Sequence, residues 1–399
     1  MSAAAAAMRF ILYGLTGMGL YTGYSFYAST SSPSLSSIFT SNASSSSIDV
    51  HTSGSLGGGT QLADGRVSIS RRTVAVADLH GDLQHALNVL SMAGVLISNP
   101  PSPNSPHNYT WTAGHDVLIS TGDIVDRGDD TIALYRLFMS LRQQAREAGG
   151  EVKNCLGNHE IMNALGDWRY VTKGDVESFS DVQERRHAMS SKGWIGRDWL
   201  EQYNVTHTVS LLPLNHTGLP SEYVPPKMSF VHGGITPQYA SLGIDHINTL
   251  GQSFLHKALS QGHPSWLPTN TTEAEKQLWS ESGPLWYRGY ASDPENTACV
   301  NADKARQALG VRHLVMGHTP HFDGFVTRCD NAIMLIDTGI SRAYGGEQSA
   351  LVVDFELMPV EGRVTAEGQK LWRETEVLTA LYRGRRPKIL SSVEKDLWL

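Results

Sequence analysis

The sequence predicts an α/β protein, and three observations predict it. From residue 71 onward, short β-branched runs alternate with stretches whose apolar residues recur at helical spacing. Clusters of Asp, His, Asn and Gly fall just after those runs, where strand ends feed loops. The composition, 40% hydrophobic and 18% charged over 399 residues, is that of a globular chain long enough for one large domain or two ordinary ones.

The elements follow in order. Residues 71–78 (RRTVAVAD) read as a strand, 83–96 (LQHALNVLSMAGVL) as an amphipathic helix, and the Pro/Asn/Ser-rich residues 98–110 as a loop. HDVLIST (115–121) is a second strand, followed by a helix from Thr131 that stops at Gly149-Gly150, and EVKNCL (151–156) is a third strand. Residues 161–226 are mixed, with helical patches at 182–189 and 194–203. KMSFVHGG (227–234) is a fourth strand, and 236–300 is a second variable region. NADKARQALG reads as a helix capped by Asn301, and VRHLVMGHTP as a fifth strand. GFVTRCDNAIMLID reads as a hairpin turning at Asp330-Asn331, and SALVVDFEL closes the sheet system.

The first 70 residues differ. Residues 10–28 are uncharged and mostly apolar, approaching the ~20 residues a membrane span needs. Three readings fit residues 1–28: a secretory signal peptide, an uncleaved membrane anchor, or a mitochondrial presequence. Residues 29–69, Ser/Gly-rich, read as a flexible linker, so the folded domain is expected over 70–399, with insertions at about 161–227 and 236–300. Asn-X-Ser/Thr sequons at Asn42, Asn108, Asn204, Asn215 and Asn270 lean towards the secretory pathway. Membrane association through residues 10–28 is part of that expectation.

The net charge of −7 lacks the basic footprint of a nucleic-acid binder. Three cysteines allow at most one internal bridge, which Cys299 and Cys329 could form. Cys155, inside an apolar strand, reads as a buried small hydrophobe.

Five strand-end clusters carry the chemistry: Asp78-Leu79-His80-Gly81-Asp82, Gly122-Asp123-Ile124-Val125-Asp126-Arg127-Gly128, Gly157-Asn158-His159-Glu160, His232-Gly233-Gly234 and Gly317-His318-Thr319-Pro320. Asp, His and Asn without thiolate suit hard or borderline divalent metals: Mn, Fe or Zn. One carboxylate can bridge two ions, and two ions about 3.5–4 Å apart can activate a water and clamp a phosphoryl oxygen. Asp82 reads as a helix cap and Glu160 as a structural residue at a helix start. Trp194, Trp199, Trp266 and Trp279 read as packing residues.

In this order the five clusters resemble the signature of the calcineurin-like metallophosphoesterase superfamily. The Asp126-Arg127-Gly128 and Gly157-Asn158-His159-Glu160 forms resemble its phosphoprotein phosphatase family. The runs GNHEIMNALGDWRYVT and WTAGHDVLISTGDIVDRGDD are similar to the Shewanella-like, bacterial-like branch, with the likeness covering about residues 70–357. The resemblance implies two β-sheets sandwiched between helices, with a helical cap or insertion. It implies one metal at Asp78 and His80, a bridge at Asp123, and a second metal completed by Asn158, His232 and His318. His159 would be the general acid, oriented by Asp126. Arg127 and Arg288, with Asn158, would bind the phosphate.

Two departures stand out. Ala77 replaces the usual Gly before the first Asp, and the stretch Asp337-Thr338-Gly339-Ile340-Ser341 lacks the tyrosine motif of the eukaryotic phosphatases. The function implied is phosphate removal from Ser/Thr or Tyr of a phosphoprotein by a metal-bridging hydroxide. The alternatives are a dinucleoside polyphosphate hydrolase on the same motifs, and a non-catalytic binding module.

Overall fold

A computed structural model describes residues 59–61, 67–98, 109–214, 216–261, 267–366 and 368–399, which fall within one unit, Gly54–Leu399. Residues 1–58, with the segment 10–28 and its signal, anchor or presequence readings, lie outside the described residues, as do Asn42, Asn108, Asn215 and Trp266. Among the described residues no helix is long and apolar enough to cross a membrane.

Two sheets form the centre. The larger runs, in spatial order, β15 (Lys388–Trp398), β14 (Lys370–Tyr382), β13 (Ser349–Val364), β2 (Val67–Val76), β5 (Val117–Ser120), β6 (Glu151–Cys155) and β7 (Tyr203–Asn204), with β1 (Gly59–Gln61) also paired to β2; the smaller runs β11 (Val326–Arg328), β12 (Ile333–Leu335), β10 (His313–Met316), β9 (Lys227–Val231) and β8 (Thr206–Ser210). In the larger sheet β2 (Val67–Val76), β5 (Val117–Ser120), β6 (Glu151–Cys155) and β7 (Tyr203–Asn204) are parallel. In the smaller sheet β9 (Lys227–Val231), β10 (His313–Met316) and β12 (Ile333–Leu335) are parallel, while β8 (Thr206–Ser210) and β11 (Val326–Arg328) pair antiparallel at its edges.

Alternation along the strands builds two cores. Ala75, Val117, Ile119, Met228, Phe230, Val315, Met334, Leu351 and Val353 fill the space between the sheets. Their neighbours Val74, Val76, Leu118, Leu314, Met316, Ile333 and Val352 face outward against helices. Successive strand side chains point to opposite faces, so each buried strand serves both layers. Trp199 and Phe254, on the helices Trp194–Gln202 and Ile244–Ser260, are buried in the outer layer.

Several expectations change. Asn301 is not a cap, because the helix starts earlier, as Glu295–Leu309 after Pro294; a proline and an acidic first residue suit that start. Ordered strand begins upstream of Ser70: β1 (Gly59–Gln61) pairs β2 inside the stretch read as linker. The helix after Asp82 ends at Met92, Gly94 turns with φ 68°, and Leu96–Ser98 (β3) pairs Tyr109–Trp111 (β4). The sheet does not close at Leu357. β13 (Ser349–Val364), β14 (Lys370–Tyr382) and β15 (Lys388–Trp398) continue it as an antiparallel meander. The hairpin does turn at Asp330-Asn331, where Cys329, Asp330 and Asn331 all take positive φ. Cys299 and Cys329 are bridged with Cα atoms 5.4 Å apart, and Cys155 is buried and free.

Phe230 is fully buried between the sheets. Phe230→Ala is expected to lower the unfolding free energy by about 3–5 kcal/mol in denaturant titration; a loss below ~1 kcal/mol would mean that the sheets do not pack as described.

Candidate active site

The candidate residues converge from the carboxyl ends of the parallel strands of both sheets. Asp78 and His80 follow β2, Asp123 follows β5, Asn158 and His159 follow β6, His232 follows β9 and His318 follows β10. Six of the residues at these turns, Asp78, His80, Asp123, Asp126, Arg127 and His318, hold positive φ between 42° and 72°. Side chains avoid that region, so the surrounding structure must impose it, as happens where function needs a particular direction.

The restraints can be named. Glu160 accepts from Asp123 N (2.9 Å), Gly157 N (2.7 Å), Ile124 N (2.9 Å) and the Tyr135 hydroxyl (3.1 Å). It is structural, as its place at a helix start suggests, and its reach extends to the loop of Asp123. Asp82 caps the helix Leu83–Met92 through His85 N at 3.1 Å, and also takes Arg342 N, Nε and Nη2 at 2.8–3.0 Å. The loops of the first two clusters cross so closely that a Cβ on Gly81 would lie 2.6 Å from the Gly128 carbonyl group.

At the centre His232 Nε2 lies 3.2 Å, His80 Nε2 3.7 Å and His159 Nε2 3.8 Å from Asp123 Oδ2. Burial pushes the Asp123 carboxyl up, and the imidazoles of His232, His159 and His80 more than offset it, holding it well below the usual carboxylate range. Asp78 moves the other way, raised well above that range by burial and by the nearby Asp337 and Asp123. Burial and the nearby His159 bring His80 down to about 3, and burial and His232 hold His318 well below the ordinary imidazole value.

The imidazole tautomers follow from hydrogen bonds. His80 Nδ1 donates to the Val125 carbonyl (3.0 Å) and His232 Nδ1 to the Thr121 carbonyl (3.1 Å), so in the neutral rings each Nε2 carries a bare lone pair. The His232 lone pair then faces two further acceptors, Asn158 Oδ1 at 2.8 Å and Asp123 Oδ2 at 3.2 Å. His318 Nε2 is buried with no hydrogen-bond partner among the described residues. Lone pairs aimed at one another around shared carboxylates are the arrangement a divalent cation relieves, and the donors are oxygen and imidazole. Two groups of side chains converge tightly enough to hold an ion here, His80, Asp123 and His159, and Asp123, His232 and His318; Asp123 is common to both.

Around this centre lies a polar pocket of about 100 Å³, lined also by Arg127, Tyr170, Trp286, Arg288, Asp337 and Tyr344. His159 Nδ1 donates to Asp126 Oδ2 at 2.6 Å, leaving Nε2 towards the pocket. Burial lowers the His159 pKa, but Asp123 and Asp126 outweigh it and leave the group raised. The Arg127 guanidinium lies 3.9 Å from the Tyr170 ring and 5.4 Å from that of Tyr344. Arg288 Nη1 is tied to the His318 carbonyl (2.7 Å) and Thr319 Oγ1 (3.0 Å).

All the candidate residues named from sequence therefore sit in or around one pocket. Sequence reasoning missed Asp337, Tyr170 and Tyr344. Asp337 follows β12 as the other acids follow their strands, and that signal could have found it. Tyr344 places a tyrosine at the pocket three residues past the stretch read as lacking one. Trp199 and Trp279 pack against neighbouring aromatics, whereas Trp286 meets the His318 ring edge-on at 5.5 Å.

Glu160→Ala removes the acceptor for three backbone donors. It is expected to cost on the order of 4–9 kcal/mol of stability, since hydrogen bonds to a charged group contribute ~1.5–3 kcal/mol each; thermal unfolding followed by circular dichroism checks this.

Residues 71–322 match the calcineurin-like phosphoesterase family. An uncharacterized protein of Schizosaccharomyces pombe is 42% identical over 280 residues, which span 69% of this chain and 75% of that protein. Shewanella-like protein phosphatase 2 of Arabidopsis thaliana is 24% identical over 325 residues, 71% of this chain and 74% of the relative. Among solved structures, a cold-active protein-tyrosine phosphatase of a psychrophilic Shewanella superposes with a TM-score of 0.57 at 23% identity over 80% of each chain, a likeness of fold. The chain belongs to the calcineurin-like phosphoesterase family, with Shewanella-like protein phosphatases among its relatives, and is a phosphoric ester hydrolase.

Proposed function

We propose that the chain is a two-metal phosphomonoester hydrolase that removes phosphate from phosphoproteins. The observation that carries this is the pair of bare imidazole lone pairs of His80 and His232, gathered with Asn158, Asp78 and the His318 ring around the shared Asp123 carboxylate. Asp78, His80 and Asp123 would hold one divalent ion, and Asp123, Asn158, His232 and His318 a second: Mn, Fe or Zn. Bound there, the ions would supply Lewis acidity towards phosphate oxygens and water.

The chain's own residues do the rest. Arg127 and Arg288 offer planar paired donors that bind and orient the phosphoryl oxygens, and Asn158 borders the same oxygens. Tyr170, stacked on Arg127, limits the planes the guanidinium can adopt. His159 Nε2 holds the proton for the leaving oxygen, while Asp126 keeps Nδ1–H engaged and so fixes the ring. The pocket, at about 100 Å³, is well below the ~300–1,000 Å³ of sites that engulf a small molecule. It suits a phosphoryl group whose carrier stays outside, as with a phosphorylated side chain on a protein. The Arabidopsis relative is named a protein phosphatase, which points the same way.

The full chain loaded with Mn²⁺ is expected to release phosphate from phosphoserine, phosphothreonine or phosphotyrosine peptides, and Asp123→Asn to abolish turnover. His159→Asn is expected to lower kcat by about 10²–10⁴ with little change in KM. Arg127→Ala is expected chiefly to raise KM. Chelation should remove activity, and Mn²⁺ should restore it. Cleavage of a dinucleoside tetraphosphate alone would make the chain a nucleotide hydrolase, and two bound ions with no turnover of any substrate would make it a binding module.

A further inference from the structure

The carboxylate that holds His159 is itself held from a helix outside the five clusters. Arg185, on the helix Val182–Ala188, is 0% exposed. Its Nε donates to Asp175 Oδ2 at 2.8 Å and its Nη1 to Asn163 Oδ1 at 2.8 Å. Its Nη2 lies 3.7 Å from Asp126 Oδ1 and has no hydrogen-bond partner among the described residues. The Trp168 ring covers the guanidinium at 4.7 Å. Burying a cation this completely costs several kcal/mol before its partners offset it, so an apolar residue would be the cheaper filler.

The arrangement of donors explains what Arg185 does there. An asparagine amide can face either way, and Arg185 decides which. A guanidinium only donates, so it takes the Asn163 oxygen. The Asn163 Nδ2 group is thereby turned to Asp126 Oδ1 at 2.9 Å, and it also donates to the His159 carbonyl at 2.9 Å. With Oδ1 engaged, Asp126 presents Oδ2 to His159 Nδ1 at 2.6 Å. Reversing the amide would set its NH₂ against the guanidinium and its oxygen against a carboxylate, two repulsions in a buried site. The series Arg185, Asn163, Asp126, His159 therefore has one arrangement.

We propose that Arg185 is a positioning residue for proton donation, acting through Asn163 and Asp126 to hold His159 Nε2 towards the leaving oxygen. The inference rests on the reading of His159 as the proton donor. In that step the P–O bond breaks with its electron pair on the leaving oxygen. That oxygen takes the proton from His159 Nε2, a water molecule supplies the hydroxyl that phosphorus gains, and the proton that water gives up restores the one His159 donated. Arg185 stays charged throughout and sets only geometry.

The test compares two substrates of the full, Mn²⁺-loaded chain. Phenolate leaves readily only when protonated, whereas 2,4-dinitrophenolate leaves without a proton. Arg185→Met and Asn163→Leu are each expected to lower kcat on phenyl phosphate by about tenfold or more, and on 2,4-dinitrophenyl phosphate by less than about threefold, with KM little changed. A merely structural role depresses both substrates alike, and equal losses overturn the inference. His159→Asn is the reference. If it too treats the substrates alike, the reading of His159 falls and takes the inference with it. If it separates them and the other two variants do not, the inference alone falls. Should Arg185→Met fail to fold, Asn163→Leu decides, because it removes the same link with a side chain of similar size. In the metal-free protein, the downfield Nδ1 proton resonance of His159 is expected to move upfield in Asn163→Leu; an unmoved resonance also overturns the inference.

Discussion

A buried carboxylate stays ionised only when cations or several donors stand beside it, and the site depends on how Asp123 meets that condition. Its oxygens face His80, His159 and His232 and accept from the His159 amide at 2.9 Å. Asp78 and Asp337 add two more buried acids within the same pocket. Several acids ionised together in an apolar interior are costly, and Asp78 accordingly lies well above the usual carboxylate range. The family's chemistry turns that cost to use, since a charge-dense cage of oxygen and nitrogen donors suits divalent ions, and divalent ions suit a phosphate dianion.

The backbone supplies the other half of the constraint. Two parallel sheet halves bring their strand ends together, and the turns that follow hold six polar residues in the left-handed region. Glu160, Asp82 with Arg342, and the Gly81–Gly128 crossing stitch these turns to one another. Ser341 Oγ donates to the His80 carbonyl at 3.2 Å, and His85 Nδ1 donates to the Ile340 carbonyl at 2.7 Å. The loop bearing Tyr344 is thereby tied to the first cluster, so one tyrosine and one metal-ligand candidate share a restraint.

The site was largely legible in the sequence because each ligand candidate is adjacent to a strand and embedded in a short glycine-bearing run. Spacing alone places Asp123, Asn158 and His318 at strand ends. What spacing does not carry is orientation through a third residue. Asn163 lies on the fully buried helix Asn158–Leu165 and Arg185 on Val182–Ala188; the local sequence does not say which polar group either side chain meets, and their meaning depends on Asp126, 37 residues from Asn163. The fold was legible where strands are buried on both faces, as in β5 and β10. It was less so in β14 and β15, where charged residues such as Arg373, Glu374, Lys395 and Asp396 interrupt the apolar alternation. Glu374 and Glu376 are buried there because Arg312 and His313 reach them from the other sheet, a pairing no local pattern encodes.

The most direct test of the central claim is anomalous diffraction from crystals of the protein grown with Mn²⁺. Two peaks are expected, one bounded by Asp78, His80 and Asp123, the other by Asp123, Asn158, His232 and His318. A single peak that does not touch Asp123, or no peak among these residues, would contradict it.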